Sequence, residues 1–122
     1  MSNLPYRPYT GAPAPTINWP SFSGTHYPFE LWPIGTAFRD LSGVYIFCKL
    51  APNGNWDAVY IGETQSFQNR LTDGLAQHHQ WMSIIACGAS HICVMQVPGG
   101  LALREGIETD LRRHLKTPCN LQ

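Results

Sequence analysis

The chain has 122 residues, and because domains usually run to about 100–200 residues, a second full domain is excluded. Hydrophobic residues make up 43% and charged residues 13%, a balance that excludes a disordered chain and predicts a packed core. Eight Lys plus Arg offset eight Asp plus Glu, so no broad field draws in nucleic acid or anionic membrane, and a polyanion has to be gripped locally.

Seven of the ten prolines fall in the first 33 residues, with Gly11 and Gly24 among them, and they break every helical or strand pattern there. Residues 1–33 are therefore expected to form an arm. Its aromatics, including Tyr6, Tyr9, Trp19, Phe29 and Trp32, are too many for a free linker, so its later part is expected to lie over a domain spanning 34–122. From Gly43 to Leu50 residues alternate with the period of two that marks a strand, and Ala58 to Ile61 gives a second. Asn53-Gly54 between them is a strong hairpin signal and predicts antiparallel pairing. The segment from Glu63 to Leu75 changes period: Thr64 or Ser66 can cap a helix on which Phe67, Leu71 and Leu75 recur every four residues. Gly74 interrupts it, and His78, Trp81, Met82 and Ile85 mark one face of another helix that stops at Gly88. His91 to Val97 reads as a third strand, Pro98-Gly99-Gly100 as a turn, and Leu103, Ile107, Leu111 and Leu115 as the stripe of a last helix reaching about His114. The fold class expected is α+β, a three-stranded antiparallel sheet flanked by helices, with the Pro-rich arm at its start.

Pattern alone brings several polar groups together. With a two-residue Asn53-Gly54 loop, Tyr60 pairs with Phe47, so Tyr45 and Tyr60 project from one face of the sheet; an odd-length loop would separate them. Arg70 flanks the buried stripe of the first helix, where its planar fork suits a phosphate. On the last helix, at about 100° per residue, Glu105 points to solvent whereas Glu108 borders the core. Arg104 stands four residues before Glu108, the spacing of an ordinary surface ion pair. A lone carboxylate there could instead hold a divalent metal with waters and phosphate completing the shell.

Gly43-Val44-Tyr45, fifteen residues before Tyr60-Ile61-Gly62, then Arg70, Glu108 and Pro118-Cys119-Asn120, resemble the GIY-YIG nuclease pattern over about residues 43 to 120. The resemblance implies hydrolysis of DNA phosphodiester bonds with one Mg²⁺ or Mn²⁺. It implies that Tyr45 or Tyr60 deprotonates or orients the attacking water, that Arg70 stabilises phosphate charge, and that Glu108 ligates the metal. Asn120 is implied to hold the C-terminal end of the site by a hydrogen bond near the phosphate or the sheet. Gly62, Arg70, Arg104 and Arg112 are the expected nucleic-acid contacts. Two departures stand out. Glu63 follows the second motif glycine where several members carry lysine, and Gly74 stands where some carry a histidine, so that His78 or His79 becomes the candidate general base or phosphate contact.

Cys48, Cys87, Cys93 and Cys119 form no C-x-x-C pair, and a zinc site built from them with His78, His79 and His91 lacks the close ligand pairs such sites use. With no run of about 18 apolar residues and no signal-peptide pattern, the expectation is a cytoplasmic protein without a membrane role, its thiols reduced. The scarcity of basic surface predicts a homodimer or a targeting partner. It also gives an alternative to the nuclease, a nucleic-acid-binding or interaction module with little or no turnover.

Overall fold

A computed structural model describes residues 14–120. Its framework is one antiparallel sheet of five strands: β1 (Thr16–Pro20), β2 (His26–Pro33), β3 (Gly43–Leu50), β4 (Trp56–Thr64) and β5 (His91–Gln96), in spatial order β1-β2-β5-β3-β4. The three-stranded sheet expected from the sequence is therefore corrected to five, with few helices around it. The two additional strands come from the stretch expected to be an arm. Its prolines spare the ladder: Pro20 and Pro33 end their strands, and Pro28 sits where β2 overhangs β5, which pairs only with Glu30–Pro33. Residues 1–13 of the expected arm, with Tyr6 and Tyr9, lie outside the described residues.

β3 is flanked by β4 and β5 and buried on both faces, which explains its nearly unbroken run of large apolar residues. One face packs Tyr45, Phe47, Val59 and Tyr60 against Phe67, Leu71 and Ile84 from the segment that follows β4. The other packs Trp19, Phe29, Val44, Ile46 and Ile61 against Leu111 of a long helix. Each such side chain, fully buried, contributes about 1.5–3 kcal/mol by leaving water.

The helix expected over Glu63–Leu75 is not one helix. β4 runs on to Thr64, because Gly62–Thr64 pair with Gly43–Tyr45. A wide π-helical turn (Gln68–Asp73) and a short 3-10 turn (Leu75–Gln77) follow. Ser66 fills the expected capping role, its hydroxyl accepting the Asn69 N–H at 3.1 Å. His78 lies in the loop beyond, and helix α1 begins only at Trp81 (Trp81–Ala86). It ends at Gly88, whose positive φ of 88° lets Gly88 and Ala89 donate to the carbonyls of Ile85 and Ile84.

Helix α2 (Leu101–Arg112) is anchored at its far end to the β1–β2 turn. The Ser23 backbone N–H donates to Asp110 Oδ1 at 2.8 Å, the Ser23 and Tyr27 hydroxyls donate to Oδ2 at 2.6 and 2.8 Å, and the Arg113 guanidinium stacks 4.2 Å from the Phe22 ring centroid. The Ser23 hydroxyl, followed by Tyr27, holds the Asp110 carboxyl down at about 2. Among the described residues no helix is long and apolar enough to cross a membrane.

Candidate active site

β3 and β4 aim Tyr45 and Tyr60 from the same face, with Phe47 opposite Tyr60 and Tyr45 opposite Gly62. The route to this register differs from the two-residue loop expected. Ala51 N–H donates to Asn55 O, which leaves the three residues Pro52, Asn53 and Gly54 as the loop, with Gly54 alone at positive φ. Such an odd loop would put the tyrosines on opposite faces. A β-bulge restores them: Phe47 pairs with Tyr60 but Cys48 with Ala58, so Val59 is the extra residue and shares a face with Tyr60.

The motif glycines are required by packing. A side chain at Gly62 would meet the Tyr45 ring and hydroxyl at 2.5 Å, because the ring leans across the strand onto the bare glycine. A side chain at Gly43 would run into the Met95 carbonyl and the Phe67 ring. The Tyr45 and Tyr60 rings stack with centroids 6.1 Å apart.

His78 joins them from behind. It is buried, whereas the neighbouring His79 is exposed and stacks on it at 5.0 Å. The Gln80 N–H donates to Nδ1 at 3.1 Å, so the neutral ring carries its proton on Nε2 and donates it to the Tyr45 hydroxyl oxygen 2.8 Å away. Burial, reinforced by Arg70, pushes the His78 ring down to about 4, which keeps it neutral at physiological pH. The hydrogen-bonded network runs from Gln80 through His78 to Tyr45, and Tyr60 joins it by stacking its ring on that of Tyr45. Both ring nitrogens of His78, expected as a general base or phosphate contact, are thus occupied within the protein, by the Tyr45 hydroxyl and the Gln80 N–H.

Helix α2 lines the edge of β4. The burial stripe of its first half differs from the one expected, since Leu103 is exposed and Arg104 is buried. Arg104 Nε donates to Glu63 Oε1 at 2.8 Å, and its Nη1 to the Gly99 carbonyl at 3.2 Å. Hence Arg104 is not the partner of Glu108, and Glu63 is neutralised where an unpaired carboxylate would repel a phosphate. Glu108 instead lies 3.6 Å from Arg112 one turn on, with 19% of its side chain exposed. Arg112 also donates to the Asn120 carbonyl. Asn120 reaches β4 from a short 3-10 turn (Pro118–Asn120): its Oδ1 accepts the Ile61 N–H at 2.7 Å and its Nδ2 donates to the Ile61 carbonyl at 2.9 Å. Its side chain thereby satisfies the edge strand between Tyr60 and Gly62.

The electrostatics draw these groups into one site. Burial pushes the Tyr45 and Tyr60 phenols up, Glu108 pushes both further, and Arg70 pulls both back. Burial also raises the Glu108 carboxyl, against Arg112 and with help from Glu63 and Glu105. Arg70, on the π-helical turn, lines an open cleft of about 1310 Å³ together with Glu63, Arg104 and residues Pro98, Gly99 and Leu101. Sequence reading missed the Glu63–Arg104 pair. Its signal was an arginine at the spacing 104, 107, 108, 111 of a buried stripe, a charge that needs a partner.

Among the described residues no three His, Cys, Asp or Glu side chains cluster as metal ligands. The four cysteines are free thiols. No family model, no curated protein and no solved structure matches the chain.

Proposed function

We propose that the protein is a metal-dependent endonuclease of the GIY-YIG type, hydrolysing phosphodiester bonds in DNA. The observation that carries this reading is the stacked pair Tyr45 and Tyr60, with Arg70 and Glu108 from two other segments each within electrostatic reach of both phenols. Hydrolysis of a phosphodiester needs charge stabilisation on the phosphate oxygens, an oriented water and a stabilised leaving oxygen. Arg70 offers the phosphate a permanently charged, planar fork. Tyr60, stacked on Tyr45, orients the water, and Tyr45 behind it is held by the His78 Nε2–H. That donor favours charge on the Tyr45 oxygen, while burial opposes it, so neither phenol is a strong base until positive charge gathers beside it.

The donor chemistry fits a single hard cation. Glu108 is a largely buried carboxylate raised by burial, facing one arginine at 3.6 Å, the condition of an oxygen ligand short of positive charge. Glu108, with waters and phosphate oxygens, would hold Mg²⁺ or Mn²⁺, which when bound polarises phosphate and makes a water more acidic. Asn120 fixes Ile61, and through it the spacing of Tyr60 and Gly62. Arg112 spans Glu108 and Asn120 and is the outer cation available to a DNA backbone.

Supercoiled plasmid incubated with Mg²⁺ or Mn²⁺ tests the reading. Nicking that requires metal and is lost in Glu108→Gln and in Arg70→Ala supports it; absence of nicking under every metal refutes it. One observation favours a second reading, a binding module without turnover: Glu108 already has Arg112 as a counter-ion. Binding without nicking would establish that case. In either case a chain with no net charge draws its DNA affinity from a homodimer or a targeting partner. A cytoplasmic setting suits its free thiols.

A further inference from the structure

The cleft beside Arg70 is chemically unlike a backbone-binding channel. Its charges cancel, with Arg70 and Arg104 against Asp40 and Glu63, and Arg104 is spent on Glu63. What it offers instead is amide: the side chains of Gln65, Asn69, Gln77 and Gln96 line it, and among the described residues none of the four makes a hydrogen bond there. At about 1310 Å³ it exceeds the roughly 300–1,000 Å³ that small-molecule pockets occupy, and it is open to solvent, leaving room for a chain-like ligand. It contains no aromatic ring on which bases could stack without regard to sequence.

We propose that this cleft receives the single-stranded flank of the DNA whose phosphate lies at Arg70, and reads an unpaired adenine there through the side-chain amides of Asn69 and Gln77. The inference rests on the nuclease reading for the identity of the ligand. A primary amide carries a donor and an acceptor side by side, the match for the donor and acceptor on one edge of adenine. Asn69 directly precedes Arg70, and Gln77 lies one short turn beyond Gly74, so both stand on the wall that carries the phosphate-binding arginine. With one uncommitted cation among the described cleft residues beside Asp40, backbone attraction is weak there and base-edge hydrogen bonds carry the selectivity.

The test compares a thymidine decamer with the same decamer carrying one central dA, titrated without metal and followed by side-chain amide NMR and fluorescence anisotropy. The dA decamer is expected to bind roughly 5- to 150-fold tighter and to shift the Asn69 and Gln77 side-chain NH₂ signals. In the Asn69→Ala/Gln77→Ala protein that preference disappears, and unchanged backbone spectra show that it is folded. Equal affinity for the two decamers, or shifts confined to residues outside the cleft, overturns the proposal. Plasmid nicking by the unaltered protein is scored separately. Nicking with no adenine preference leaves the nuclease reading standing and removes this one, whereas adenine preference without nicking does the reverse.

Discussion

Acidification probes the buried imidazole directly. His78 is 3% exposed, with both nitrogens engaged, and a second proton would have to displace the Gln80 N–H beside Arg70. Burial first, and Arg70 second, lower its folded value to about 4, against 6.5 for a free histidine. In the interval between them the unfolded chain binds the extra proton and the folded one does not. The stability contributed by the neutral ring is therefore complete above about pH 6.5 and is lost as pH falls through that window toward the folded value. From about pH 7.5 to about pH 5 the loss comes to roughly 2 kcal/mol. Urea unfolding followed by tryptophan fluorescence at the two pH values measures it, with His78→Gln as the protein that cannot titrate there. Glu108, with its raised value, works in the opposite sense, contributing stability at low pH that is lost as pH rises; it is common to both proteins and cancels in the difference. The wild type is expected to lose roughly 2 kcal/mol more than His78→Gln. Equal pH dependence in the two proteins, or an NMR titration of the His78 ring with a midpoint near its free value, would refute the reasoning.

Gly62→Ala places a methyl group where the Tyr45 ring lies, and a displaced phenol is expected to lower plasmid nicking about 100-fold. Asn120→Ala strips the Ile61 N–H and carbonyl of their partners and is expected to cost about 2–4 kcal/mol in urea unfolding at an unchanged m-value. Arg104→Leu strands the Glu63 carboxylate, which is 22% exposed, at a cost of about 1–3 kcal/mol, and adding Glu63→Gln recovers most of it; a double variant no more stable than the single one refutes the pairing.

How far the sequence could be read depended on whether local signals ruled. In β3 and β5, period and composition agreed with the tertiary setting, and the strands lie where the pattern places them. β1 and β2 were hidden because proline is a general breaker but a local exception, harmless at strand ends and overhangs, which only the pairing reveals. The π-helical turn was masked by Phe67, Leu71 and Leu75, whose spacing imitates a regular helix while Gly74 donates five residues back to Asn69. The shared face of Tyr45 and Tyr60 was legible, yet through a loop of the wrong parity and a bulge with no sequence signature, two departures that compensate. The position of Glu108 at the core border followed from helical angles alone. The Arg104–Glu63 pair did not, since 41 residues separate its members and no spacing rule links them.

The clasp on Asp110 reaches further than its distance from the motifs suggests. Asp110 stands two residues beyond Glu108 on the same helix, so the hairpin turn that grips one carboxylate sets the tilt and reach of the other. A shortened chain starting at β3 would still spell every signature residue, but the rod presenting its acid would be moored at one end only. In this molecule the smallest unit that carries the signature and the smallest unit that can aim it are different lengths of polypeptide.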